Sequence, residues 1–155
     1  MTLDVLGLFE LQHRRLARSM EELSHARQAR RRKTLFAGFQ AELREHFRLE
    51  ERLLFPRAQP AVLTRDDADL FVRGRAEHSE HLRLLAGGAK RLEDASAISV
   101  LVFQLARELR EHFQFEEERV FPAARRALGR PTLLELAREL SRPRTRARRA
   151  AAGSR

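Results

Sequence analysis

The chain of 155 residues contains no cysteine, no tyrosine and no tryptophan. Without cysteine there are no disulfides, thiolate ligands, iron–sulfur clusters or cysteine nucleophiles. Without tyrosine there is no tyrosyl radical and no tyrosinate ligand, and phenylalanine is left as the aromatic wall material. No apolar run approaches the ~20 residues of a membrane span. The N-terminus lacks a basic stretch followed by an apolar core, so no signal peptide is expected and the expected compartment is the cytoplasm. A chain of this length is one domain by the usual prior and can bury a single good core.

The formal net charge of +9 is local. The tail 141–155 carries six Arg and no acid, which is two thirds of the excess. A second cluster, Arg27 with Arg30, Arg31, Arg32 and Lys33, adds five more positive charges. What remains is slightly acidic, so a uniformly basic nucleic-acid-binding face is not implied.

One stretch occurs twice. Residues 43–58, LREHFRLEERLLFPRA, return at 109–124 as LREHFQFEEERVFPAA. The copies share Leu-Arg-Glu-His-Phe, the Glu-Glu pair, Phe-Pro and the closing Ala, which marks a duplicated functional unit. In a helix, residues four apart lie on one face about 6 Å from each other. His46 therefore points with Glu50, and His112 with Glu116. An imidazole and a carboxylate aimed the same way from each of two helices is half of a metal site.

Apolar periodicity predicts helices throughout. The first carries Val5, Phe9, Leu16, Met20 and Leu23, with His13 inside the stripe. The basic cluster is expected to mark its end and the connection. Thr34 is the expected N-cap of the second helix, whose stripe is Phe36, Phe39, Leu43, His46, Phe47, Glu50 and Leu54, with Pro56 following its end. Thr64 to Asp67 resembles a capping box ahead of a third helix. That helix is expected to bury Phe71, Gly74, His78, His81, Leu82, Leu85 and Ala89, with its last turns weakened by Gly87-Gly88. Ser96 is the expected cap of a fourth, with Val102, Leu105, Leu109, His112, Phe113, Glu116 and Val120 inward. Pro131 opens a short extra helix with Leu133, Leu136 and Leu140. The fold expected is an all-α four-helix bundle over residues 1–140, followed by a disordered Arg-rich tail, 141–155.

The polar residues that interrupt these apolar stripes are His13, His46, Glu50, His78, His81, His112 and Glu116. Burying ionised Glu without a partner is expensive, and two cost more. A pair of metal ions resolves this, since imidazole suits iron, copper and zinc and carboxylates can bridge two metals. Bundle cores hold such sites on facing helices. His81, three residues from His78, is swung about 60° from it and is the least secure ligand. His25 sits in a charged stretch and is expected to be solvated. Glu51 and Glu117, rotated about 100° from the first acid of each pair, are expected to face solvent or to pair with Arg, with a supporting role behind the ligands as the alternative.

These residues resemble the hemerythrin-like (HHE cation-binding) domains. The resemblance rests on His13, on His46-x-x-x-Glu50 with Phe55-Pro56, on Glu77-His78, and on His112-x-x-x-Glu116 with Phe121-Pro122. It covers roughly residues 3–128 and leaves the tail aside. It implies an up-down bundle holding a non-haem di-iron centre, two irons per chain with an oxo or hydroxo bridge. His78 and His81 stand three apart where oxygen-carrying members have a spacing of four. Glu116 follows His112 by four residues where those members place an Asp at five.

Two six-coordinate irons offer about twelve positions. Five His and two bridging carboxylates fill about nine and the bridge two more, leaving one open for O2, peroxide or NO. A second opens if His81 is not a ligand. The expected function is therefore binding of, or reaction with, O2, H2O2 or NO, in sensing, detoxification or storage. The His81 spacing favours a reactive or sensing site over a stable carrier. Phe9, Phe39, Phe47 and Phe113 are expected to wall the site against water. The alternative is an iron-responsive binding module whose basic tail attaches to nucleic acid or another anionic partner. Zinc or manganese in place of iron stays open.

Overall fold

The computed structural model describes residues 2–142, so the tail beyond Arg142 lies outside the described residues. Six helices follow in order: α1 (Val5–Ser24), α2 (Ala29–Leu49), α3 (Phe55–Ala58), α4 (Arg65–Ala89), α5 (Ala95–Phe115) and α6 (Phe121–Ser141). Among the described residues there is no strand, and the all-α expectation holds. Short connections at 25–28, 62–64 and 90–94 make successive rods antiparallel. The first rod, α1, packs against α2, α5 and α6, while α4 packs against α2 and α5. No helix among the described residues is long and apolar enough to cross a membrane.

Three rods start at a side chain that accepts the free backbone N–H groups of the first turn. Asp4 Oδ1 accepts from Gly7 N–H at 3.0 Å, and Thr64 Oγ1 from Asp67 N–H at 3.1 Å. Asp94, two residues before the expected Ser96, caps α5 by accepting from Ser96 and Ala97 N–H at 3.0 and 2.9 Å. The second rod begins five residues before the expected Thr34, at Ala29, with no side-chain cap. Arg30, Arg31, Arg32 and Lys33 are unbranched helix formers and continue the helix instead of interrupting it. Arg31 pairs with Glu22 and Lys33 with Glu93. The Thr34 hydroxyl donates to the Arg30 carbonyl one turn back, which leaves it no capping role.

The duplicated Phe-Pro does not end a helix. At each copy one wide turn intervenes, Glu50–Leu54 and Glu116–Val120, in which Phe55 N–H reaches the Glu50 carbonyl and Phe121 N–H the Glu116 carbonyl. These are π turns, five residues from donor to acceptor. Pro56 and Pro122 then occupy the first positions of the next helical segment, where the missing N–H costs little. Both rods therefore run on past the proline. The later break is at Gly129, whose φ of 69° and ψ of 162° no side-chain-bearing residue adopts readily. Pro131 follows it, and the last segment folds back to bury Leu133, Leu136 and Ala137.

Two apolar clusters lie along the bundle. One gathers Val5, Phe9, Leu54, Phe55, Phe71, Phe121, Leu133 and Leu136. The other gathers Leu16, Met20, Phe36, Phe39, Leu43, Leu85, Ile98, Val102, Leu105 and Leu109. On α4, Leu82 is only half-buried and Ala89 is exposed, while Gly88 takes the inward position. A Cβ there would stand 2.3 Å from Leu101 Cδ2 and 3.0 Å from Phe36 Cζ, so glycine permits this close packing. The buried histidines and glutamates occupy the level between the clusters, since His13 is flanked on its own helix by Phe9 of the first and Leu16 of the second.

Candidate metal centre

All seven polar residues expected inside are buried: His13, His46, Glu50, His78, His81, His112 and Glu116. The two carboxylates have no exposed surface at all, at 0%. They face each other's helices, and each divides its oxygens between two pairs of histidines. Glu50 Oε1 lies 3.9 Å from His13 Nε2 and 3.6 Å from His46 Nε2, while its Oε2 lies 3.3 Å from His78 Nε2. Glu116 Oε2 lies 3.2 Å from His13 Nε2, and its Oε1 lies 3.3 Å from both His78 and His112 Nε2. A carboxylate placed with one oxygen toward each of two imidazole pairs has the donor geometry that could bridge two cations.

The histidines present Nε2 inward because their other nitrogen is taken. His13 Nδ1 donates to Glu117 Oε1 at 2.7 Å and His78 Nδ1 to Glu51 Oε1 at 2.8 Å. His46 Nδ1 donates to Gln12 Oε1 at 2.8 Å and His112 Nδ1 to Glu77 Oε2 at 2.7 Å. Such bonds fix ring orientation and tautomer and raise the basicity of the nitrogen left free. Glu51 and Glu117 were expected to face solvent or an Arg. Their partly exposed carboxylates instead reach over to a buried histidine of a neighbouring helix, the alternative expectation. Gln12 plays no part in the sequence reading, and Glu77 enters it only as part of Glu77-His78 without a role; they stand one residue before His13 and His78 in the two halves.

Phenylalanine rings hold the imidazole planes. Phe113 stacks on His13 at 4.1 Å and Phe47 on His78 at 3.9 Å between ring centres. Their other faces meet Phe121 at 5.6 Å and Phe55 at 5.7 Å. The π turns bring these two rings back onto the ligand face five residues after each glutamate. Phe9 packs edge-on against His46. Phe39, expected in this wall, belongs to the cluster below and has no ring contact with a ligand histidine among the described residues; Phe55 and Phe121 take that role.

Electrostatics divide the histidines. Burial opposes a charge on His78, but its contacts with Glu116, Glu50 and Glu51 prevail and push its pKa up to about 11. His13 and His112 are raised in the same way, against burial, by Glu116 and its neighbours. Burial dominates at His46, which falls to about 4. It also lowers His81 to about 4, with help from the nearby His112. For Glu50 and Glu116 burial acts upward, yet the surrounding imidazoles hold both below the ordinary carboxylate range. The interior thus keeps two carboxylates charged only because imidazolium partners stand within a few ångströms.

Several buried atoms nonetheless have no hydrogen-bond partner: Glu50 Oε1 and Oε2, Glu116 Oε2, His112 Nε2 and His81 Nδ1. Orphaned donor atoms of this kind are rare in folded proteins. A cation among them would satisfy them. Two sets of donor atoms lie within 4.8 Å of one another: His13, His46, Glu50 and Glu116, and then His78, His112 and Glu116. The donor set, imidazole plus carboxylate without sulfur, suits iron, manganese or zinc. His81 is outside both sets. Its ring centre is 5.1 Å from that of His112, and its Nε2 stands 4.0 Å from Glu108 Oε2.

The model of the hemerythrin HHE cation-binding domain matches residues 4–124. The chain belongs to that family. Comparison with curated proteins and with solved structures found no match. The match spans the whole bundle up to the second Phe-Pro, including every residue of both donor sets, and ends before the Gly129 break.

Two grooves approach this hemerythrin-family centre. One of about 660 Å³ lies between α1 and α5, is lined by Leu16, Ala17, Met20, Ala106 and Leu109, and reaches His13 and Glu117. A smaller one of about 350 Å³ lies between α1 and α2 and reaches His46 and Gln12.

Proposed function

We propose that this protein is a non-haem di-iron protein that binds or reacts with a small uncharged ligand such as O2, H2O2 or NO. The observation that carries the reading is the split placement of Glu50 and Glu116, one oxygen of each toward each imidazole pair. His13 and His46 would hold one ion, His78 and His112 the other, and both carboxylates would join them. Bound iron would supply redox chemistry and an open coordination position for the ligand.

The chain's own residues supply the rest. Glu117, Gln12, Glu51 and Glu77 hold the imidazoles with Nε2 inward. Phe47, Phe55, Phe113 and Phe121 keep bulk water from the ligand atoms, and a wall of this kind selects small uncharged molecules. The unit that does this is the bundle of residues 1–140. His81 offers a further buried nitrogen, Nδ1, one turn beyond His78. Its absence from both donor sets supports a reactive or sensing site over a reversible carrier. The test is to load the protein with iron, reduce it, and mix it with O2 in a stopped-flow spectrometer. Rapid return to the oxidised spectrum is expected. A visible spectrum that persists for minutes, reverses under argon and is lost in His81→Ala would overturn the reactive reading.

A further inference from the structure

We infer that the two halves of the centre fill in order. The α4/α5 half takes the first metal ion tightly and the α1/α2 half takes a second, exchangeable one, with Gln12 as the residue that sets the difference. The inference rests on the di-metal reading above and deepens it.

The halves are copies of one plan. His13 with His46 corresponds to His78 with His112, and Glu117 behind His13 corresponds to Glu51 behind His78. The plan fails at two positions. Behind His46 stands the neutral amide of Gln12, whereas behind His112 stands the carboxylate of Glu77, each one residue before the histidine of its own helix. Three residues after that histidine, the first half has Leu16 and the second has the buried His81.

A carboxylate behind a ligand imidazole makes the inward nitrogen a stronger donor and adds a negative charge near the cation; an amide does only the orienting. Glu77 gives one carboxylate oxygen to His112 Nδ1 at 2.7 Å. Arg73, at 2.6 Å from the other carboxylate oxygen, offsets part of the charge and also fixes its aim. The second half thus has two carboxylate-backed imidazoles and the first has one.

Readiness points the same way. His13 and His46 meet each other Nε2 to Nε2 at 3.0 Å, a hydrogen bond that an incoming ion must break. His112 Nε2 makes no hydrogen bond and faces Glu116 Oε1 at 3.3 Å, and His78 Nε2 bonds to the same oxygen at 3.3 Å, so the second half gives up contacts only to a carboxylate that can itself turn to the ion. The two grooves between α1 and α5 and between α1 and α2 end on the first half, at His13 and at His46, which gives that half an exit route. One observation runs against the inference: the first half has four donors mutually close and the second three. The missing donor is Glu50, and its Oε2 already lies 3.3 Å from His78 Nε2, so it serves either half.

The experiment is an anaerobic titration of the metal-free protein with Co(II), read by its visible absorption against a competing chelator and repeated with Fe(II). Two binding phases are expected, separated by about tenfold or more in affinity. Glu77→Gln should weaken the first phase about 10- to 100-fold, and Gln12→Glu should tighten the second by about tenfold. A gain of affinity in Gln12→Glu is not an effect that a merely structural residue produces, and it tests the inference even if Glu77→Gln folds poorly by circular dichroism. His46→Ala should retain the tight ion and His112→Ala should lose it. Two phases of equal affinity, an unchanged second phase in Gln12→Glu, or a tight ion retained in His112→Ala would overturn the ordering while leaving the di-metal reading intact. A wild-type protein that takes up neither ion would overturn both.

Discussion

At the level of single residues, four hydrogen bonds decide which nitrogen each of the four imidazoles turns inward. Each bond joins two helices: Gln12 and Glu77 reach from α1 and α4, and Glu51 and Glu117 from the π turns. Losing one leaves the ligand in place but free to rotate. Glu117→Ala is therefore expected to lower affinity for the ion nearest His13 about 10- to 100-fold, measured by chelator competition, with little change in helix content. Deleting a ligand outright is more severe: His46→Ala and His112→Ala should each bind one ion fewer, and full metal content in both would mean that these histidines are not ligands. The burial of these histidines and glutamates was legible because each stands inside an apolar helical stripe. Their supporting acids were less legible, because Glu51 and Glu117 keep part of each side chain in water and read as solvated by periodicity alone. The signal was present all the same, in the duplicated second Glu of each Glu-Glu pair and in the Gln12-His13 and Glu77-His78 neighbours.

At the level of the element, the two π turns settle how one helix can carry both a ligand and its wall. Four residues separate His46 from Glu50 in regular helix, and the wide turn then returns Phe55 to the same face, against His78. By residue type Pro56 marks a helix end, because proline removes a donor and crowds the turn before it. The wide turn absorbs both effects, and nothing in the residue types of 50–54 distinguishes it from an ordinary helix end. Helix starts were misplaced for a related reason. Thr34 and Ser96 are good caps by type, but the actual starts depend on which carbonyl or N–H each hydroxyl finds. The break at Gly129 has a measurable consequence. Its positive φ with extended ψ belongs to glycine, so Gly129→Ala should cost about 1–3 kcal/mol in urea unfolding. A variant as stable as the parent would mean that the segment bearing Leu133 and Leu136 can dock through another backbone path.

At the level of the whole molecule, the metal-free protein carries a charge balance that titrates in both directions. His46 and His81 stay neutral down to about pH 4, whereas in the unfolded chain histidine takes its proton near 6.5. Between those values the unfolded state binds more protons, so stability rises with pH. His78 is the opposite case: its stabilisation is complete below about 6.5 and is lost as pH climbs toward about 11, and His13 and His112 share that direction. At the acid end, protonating Glu50 and Glu116 removes the partners of these imidazoliums, and stability falls further as pH drops through their depressed values. The urea midpoint of metal-free protein should therefore peak near neutrality and decline on both sides. A midpoint still rising at pH 10 would contradict this charge assignment.

The basic tail 143–155 contains no His, Asp or Glu, the residue types of both donor sets. Deleting residues 142–155 should leave metal content and spectrum unchanged, and a change in either would mean that the tail docks on the bundle. Metal analysis of the full chain, purified from cells grown in iron-rich medium and paired with its ultraviolet–visible spectrum, tests the di-iron reading most directly. About two irons per chain with strong near-ultraviolet absorption is the expected result. Protein from iron-replete cells that holds no iron, or that holds a single ion which further Fe(II) cannot double, would contradict it.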